Sequence, residues 1–145
     1  MKRMNRSMLL LLGAILLSPG IGFSEDVVTE ITPVTEGNIS YVGGGIGAGQ
    51  VQAMKNLRKD YNLLLTFALK GSGEYLADID LDIQDAKGEK VLETVAPGPL
   101  FYAKLPQGKY KITAQYHGKS LAKSAYIRKN SLARDLYFYW DKEKM

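Results

Sequence analysis

The chain has 145 residues, enough for one domain with appendages, and carries 19 lysines and arginines against 15 aspartates and glutamates. With no cysteine and a single histidine, it has no thiol nucleophile, no disulfide and no cysteine for lipid attachment, and it is poorly supplied for zinc or a Ser/His/Asp triad. The formal charge of +4 would suggest an anionic partner such as nucleic acid, but most of that excess lies in a leader segment.

Residues 1–24 read as a signal peptide. Lys2, Arg3 and Arg6 precede an uninterrupted apolar run over residues 8–17, and Ser18, Pro19 and Gly20 break it before the small residues Gly22 and Ser24. The run is short of the roughly 20 residues of a spanning helix, so cleavage after Ser24 is expected, with no stable membrane insertion afterwards. Loss of three bases and no acid brings the processed chain to +1. The charge is unevenly divided: residues 25–99 hold 12 acids and 6 bases, residues 100–145 hold 3 acids and 10 bases. Oppositely charged strands lying side by side would absorb this difference; a dipolar surface that docks an anionic partner is the functional alternative.

Residues 25–49 read as a flexible arm and a glycine-rich hinge. Pro33 and Gly37 interrupt the arm, and the run from Tyr41 to Gly49 has five glycines in nine positions without the spacing of a nucleotide-binding loop. A hinge or a close backbone approach is the expectation. Residues 50–62 predict a short amphipathic helix, with Val51, Met54, Leu57 and Tyr61 on a narrow apolar stripe that needs a sheet to lie against.

From Leu63 to Trp140 the period is two, and seven strands are predicted. Leu63, Leu65, Phe67 and Leu69 share a face of the first. Ala77, Ile79, Leu81 and Ile83 point inward on the second, with Asp78, Asp80 and Asp82 outward. Asp85 to Gly88 is a turn into the third, and the prolines at 97 and 99 separate the third from the fourth. Leu105, Pro106 and Gly108 form a tight turn feeding a strand on which Tyr110, Ile112, Ala114 and Tyr116 alternate with polar residues. His117 and Gly118 make a hairpin into the sixth strand. The last strand puts Leu136, Phe138 and Trp140 on one face and Tyr137 and Tyr139 on the other, and residues 141–145 form a charged tail.

Two side-chain sets are candidates for binding. Asp78, Asp80 and Asp82 stand roughly 7 Å apart along one strand face and repel unless cations lie opposite. Lys109 and Lys111 have the complementary pattern, so cross-strand pairing is expected. Calcium, which takes roughly six to eight oxygens, is the alternative, with Asp85 in the neighbouring turn as a further ligand. The tyrosines Tyr137 and Tyr139, joined by Tyr102 and Tyr126, supply flat rings for a glycan or peptide. An exposed edge strand that accepts a partner's strand is a further route. Nucleic acid is not expected, because the lysines are not interleaved with aromatics.

The ordered combination Tyr75-Leu76-Ala77-Asp78, Ile83-x-Asp85-x-x-Gly88, Val91-Leu92, Gly98-Pro99 and Leu105-Pro106-x-Gly108-x-Tyr110-x-Ile112 resembles the bacterial periplasmic carboxypeptidase regulatory-like domain proteins. Tyr41-x-Gly43-Gly44 and the aromatic end from Phe138 to Trp140 are similar to that group as well. The resemblance covers residues 41–140. Seven short strands with regular turns point to an antiparallel, Ig-like β-sandwich over residues 63–140, and no cofactor is expected; the resemblance implies a prealbumin-like sandwich, export to the periplasm, no catalytic residues, and an accessory role binding a protein or cell-envelope component. The enzymatic alternative is a hydrolase with Asp78 and Asp80 as acid and base, which requires carboxyls facing each other at roughly 5 to 10 Å.

Overall fold

A computed structural model describes residues 20, 22 and 30–142. The expected leader other than Gly20 and Gly22, the first five residues of the expected arm, and residues 143–145 of the charged tail lie outside the described residues. The described chain is mainly β, with nine strands in two sheets and one short helix. In order these are β1 (Val34–Glu36), β2 (Ile39–Gly44), α1 (Gly47–Leu57), a 3-10 turn (Arg58–Asp60), β3 (Leu63–Leu69), β4 (Ile79–Gln84), β5 (Lys90–Ala96), β6 (Leu100–Lys104), β7 (Gly108–Tyr116), β8 (Lys119–Ile127) and β9 (Arg134–Trp140). One sheet has the order β1-β2-β6-β3-β9, the other β5-β4-β7-β8.

The two sheets share one apolar core. Leu63, Leu65, Phe67, Phe101, Phe138 and Trp140 enter it from the five-stranded sheet, and Ile79, Leu81, Ile83, Leu92, Ile112 and Ala114 from the other. Strict alternation is the physical reason in the second sheet: β4 reads Ile-Asp-Leu-Asp-Ile-Gln, with each apolar residue buried and each polar one at the surface. Strand β3 reads Leu-Leu-Leu-Thr-Phe-Ala-Leu and is buried on both faces. A near-continuous apolar run needs cover on both sides, and α1 supplies it over part of the outer face.

Each of the seven strands expected from Leu63 onward is present, and two precede them. The expected arm is, from Val34, a β1–β2 hairpin in which Gly37 turns the chain at φ +59°. The breaks in periodicity at Pro33 and Gly37 mark a strand start and a turn, so the interruption was punctuation and not loss of structure. The sheet is also not wholly antiparallel. After β8 the chain crosses to the other sheet and enters β9 in the same direction as β3, pairing Leu63 with Arg134 through Leu69 with Trp140. The Arg134 N–H donates to the Asn62 carbonyl at 2.9 Å and the Lys70 N–H to the Trp140 carbonyl at 2.7 Å, fixing both ends of that parallel register.

The helix begins three residues before the expected 50–62 segment and gives way at Arg58 to the 3-10 turn. The Gln50 carboxamide oxygen accepts from the Gly45 and Ile46 N–H groups at 3.1 and 2.9 Å, so a residue inside the helix satisfies donors ahead of it. The glycine-rich run makes the close approach anticipated for it. A Cβ on Gly43 would lie 2.7 Å from Pro97 Cδ, and one on Gly98 would collide with the Gly44 carbonyl. Ala77, expected on an inward strand face, lies before β4, because Asp78 takes φ +58° and the strand starts only at Ile79.

Candidate functional site

The outer face of the five-stranded sheet is divided in two. Under α1, Met54 sits with Val42, Leu64, Leu100 and Tyr102 in a second apolar cluster, flanked by Leu57 and Tyr61. The ladder carries one row across the sheet here, Asp135 beside Leu64 beside Tyr102 beside Val42. Arg58, at the helix C-terminus, donates to Asp135 at 2.9 Å and interacts with the Tyr102 hydroxyl. Burial pushes the Tyr102 phenol above its ordinary pKa, against the opposing pull of the Arg58 guanidinium. Tyr61 is likewise raised, by burial and by the charge of Asp60.

The next two rows are open on their β9 side, although Leu100, paired with Thr66, still belongs to the covered cluster. Tyr137 lies beside Thr66, and Tyr139 beside Ala68, which forms an isolated bridge to Tyr75. Strand pairing places paired side chains on one face, and Leu76 in the main core fixes Tyr75 to the outside. The result is a shallow strip with Thr66 and Ala68 as floor and three tyrosines 44–56% exposed as rim. Ala68 is buried yet belongs to neither apolar cluster. The Tyr137 and Tyr139 rings are parallel to within 6° at 6.1 Å between centroids.

The same residues carry the sheet's edge. β9 is terminal in its sheet, and Arg134 and Trp140 turn their backbone groups toward β3. By alternation, the N–H and C=O of Asp135, Tyr137 and Tyr139 turn away from β3. Two tyrosines thus present rings on the face and hydrogen-bonding groups at the edge. No charged side chain of its own interrupts β9 between Asp135 and Asp141, whereas β8, one of the two edge strands of the other sheet, carries Lys119 and Lys123, the latter 5.7 Å from the centre of the Phe138 ring. Charges on an edge are a common protection against strand addition, and β9 has few.

The four expected aromatic candidates are therefore not one site. Tyr137 and Tyr139 are together and exposed. Tyr102 faces the same way but is 1% exposed, because α1 and the 3-10 turn lie over it. Tyr126 is on β8 in the other sheet, paired with Lys109 and with the Arg128 guanidinium 5.4 Å from its ring centre. Tyr75 is the residue the aromatic reading missed. Its signal was the alternation Tyr75-Leu76 just after a glycine turn, but the two-residue bridge it forms is too short to show as a strand.

The acidic ladder is shorter than predicted and paired differently. Asp78 stands outside β4. Asp80 is opposite Gln115 and Asp82 opposite Thr113 on β7, while Lys111 faces Gln84 and Lys109 lies beyond the pairing, so neither lysine meets the ladder. On its other side Asp82 faces Glu93, a like-charged pair, and Lys90 from β5 reaches both, at 2.9 and 3.1 Å. Those hydrogen bonds hold the Lys90 ammonium above its usual pKa. A shallow hollow of about 470 Å³ lies over Asp80, Asp82, Thr113 and Gln115. Asp85 is committed to its turn: one carboxylate oxygen accepts from the Lys87 and Glu89 N–H groups at 2.9 and 3.0 Å. Among the described residues no three acidic or histidine side chains converge as a metal site would need.

The turn at Leu105 and Pro106 is a structural fastening. The Asn62 side chain accepts from the Leu105 N–H at 2.9 Å and donates to its carbonyl at 2.8 Å. The Tyr110 hydroxyl donates to the Pro106 carbonyl at 2.7 Å, and Gly108 opens β7. Burial, with the charge of Asp85, raises the Tyr110 pKa. His117 is exposed on the β7–β8 hairpin, its ring stacked on Tyr116 at 4.0 Å. No helix among the described residues is long and apolar enough to cross a membrane. No protein-family model matches the chain, and no curated protein matches it.

Proposed function

We propose that this chain is an exported, non-enzymatic interaction module of the prealbumin-like sandwich class, acting in the periplasm as an accessory to a protein or cell-envelope component. The partner supplies an extended segment that adds to β9, and Tyr75, Tyr137 and Tyr139 flank it. The observation that carries this reading is the coincidence on β9 of two exposed, parallel tyrosine rings with the edge groups of the same residues. Strand addition draws affinity from backbone hydrogen bonds and selectivity from alternate side chains, and β9 offers both. The resemblance to carboxypeptidase regulatory-like domains and the leader motif support the class and the compartment.

A second reading rests on the rings alone. Flat, half-exposed tyrosines over a small-residue floor also suit the apolar face of a sugar ring, which makes an envelope glycan the alternative occupant.

A photoreactive amino acid placed at position 139 or 75 in growing cells separates these readings from a passive surface. Adducts at both positions that vanish when Tyr137→Pro removes the edge donor support strand addition. Binding to purified glycans that is lost when Tyr137→Thr removes the ring but keeps the edge donor supports the second reading. Adducts confined to a probe at Val95, exposed on the far edge strand β5 of the other sheet, defeat both.

A further inference from the structure

The end of the molecule built by the β8–β9 connection has a different chemistry. Leu132, at the tip of this loop, is 92% exposed, the largest exposure among the large apolar side chains described. Arg128 and Arg134 line one hollow with Leu132, Lys59 lines a second with it, and Lys104 and Lys129 join Arg128 and Lys59 around a third beside the loop. None of these five enters the ion pairs found between described residues, which are Arg58–Asp135, Lys70–Asp141, Lys90–Asp82 and Lys90–Glu93. None of those four pairs joins an acid of residues 25–99 to a base of residues 100–145, so the opposed charges of the two halves do not cancel through them. Of the acids at this end, Asp60 lines the hollow beside Lys59, Asp135 is held by Arg58, Asp85 is bound into its own turn, and Glu36 accepts from the Tyr41 hydroxyl.

Hollows of about 620, 590 and 570 Å³ surround the loop. The largest lies among Lys59, Lys104, Arg128 and Lys129, and its wall is fixed by the two Asn62–Leu105 hydrogen bonds. We infer that this end docks on an anionic phospholipid surface, with headgroup phosphates among the lysines and arginines and Leu132 entering the interfacial layer. An acidic peptide would share the charge preference, but it would have to bring an apolar recess of its own to receive Leu132. The apolar element here projects outward, a shape suited to a soft planar surface. Cations near such a surface add attraction roughly in proportion to their number, and an apolar anchor adds to it. The inference is independent of the β9 reading: of β9 it uses only Arg134, whose backbone turns toward β3, and none of the tyrosines.

Flotation of the processed protein, purified from expressing cells, with vesicles of phosphatidylcholine alone or mixed equally with phosphatidylglycerol tests it. Partition into the mixed vesicles only, reversed by high salt, is expected. Lys104→Gln and Lys129→Gln should each lower the partition coefficient about fivefold, and Leu132→Ser about tenfold. Circular dichroism confirms that each variant is folded, and Leu132 makes too little contact for its loss to unfold the domain. Equal partition into both vesicle types overturns the inference, as does a Leu132→Ser variant that floats like the parent. Binding to polyglutamate with no flotation overturns it in favour of an acidic peptide.

Discussion

One sheet face, two surfaces: beneath α1 the five-stranded sheet carries Val42, Leu64, Leu100 and Tyr102, all buried, while beyond the helix, toward β9, it carries Thr66, Tyr137, Tyr139 and Tyr75 at the surface. The strands are the same and so is the pleat. The covering helix makes the difference, converting one tyrosine into core and leaving others as rim. Tyrosine alternation on a strand therefore reports the outer face and not its exposure, and function has to be sought where the cover ends. If that division is right, truncating the covered half costs stability. Tyr102→Ala should cost about 3 to 5 kcal/mol in urea unfolding, and Met54→Ala about 2 to 5, as for other large core truncations. A cost below about 1 kcal/mol at both positions would mean that the helix does not hold this half closed.

The backbone approach that brings β2 against the β5–β6 connection sharpens the contrast, since it anchors the covered half. Gly98→Ala puts a methyl group against the Gly44 carbonyl, and overpacking of this kind costs about 1 to 3 kcal/mol. Gly71→Ala, at φ +87° with no atom within 4 Å of the added carbon, separates strain of the backbone from collision. If Gly98→Ala is tolerated at no cost, the approach is looser than described.

Alkaline titration gives a third contrast. Tyr102, Tyr61, Tyr41 and Tyr110 all have pKa values raised, chiefly by burial. A raised value in the folded state favours the neutral phenol, so this contribution is complete below the unfolded value near 10 and is lost as pH rises through the folded values. Stability should fall above about pH 10, and Tyr102→Phe should make the fall shallower. A decline of equal steepness in that variant would place the alkaline sensitivity elsewhere.

Much of the fold was legible because burial on one face leaves a period of two. Ile79, Leu81 and Ile83, or Tyr110, Ile112 and Ala114, sort themselves without reference to any other strand. What was not legible was set by partners distant in sequence. Lys111 faces Gln84 and not Asp82 because register is fixed between strands, and only the side-chain period is written within one. The parallel course of β9 beside β3 follows from the crossing loop at residues 128–133, which has no compositional mark of direction. β1 and β2 were hidden by their own turn residues. Tyr102 was assigned to the correct face, but the helix that closes over it depends on a chain reversal at Gly45 to Gly47 that a glycine count cannot orient.

The smallest expected effect decides most about the open half. Tyr137 and Tyr139 already meet water on much of their surface, so replacing either with threonine, which suits a strand and removes the ring, should change unfolding free energy by no more than about 0.5 kcal/mol. Partner capture through β9 should fall nonetheless, because the ring supplies contact area that a threonine lacks. A large loss of stability at Tyr139 would mean that the ring covers Ala68 as part of the core, and the open half would then be a continuation of the covered one. Unchanged stability together with unchanged capture would leave only the backbone edge to engage a partner. Separating these outcomes requires both measurements on the same variants, since stability distinguishes core from rim and capture distinguishes rim from edge.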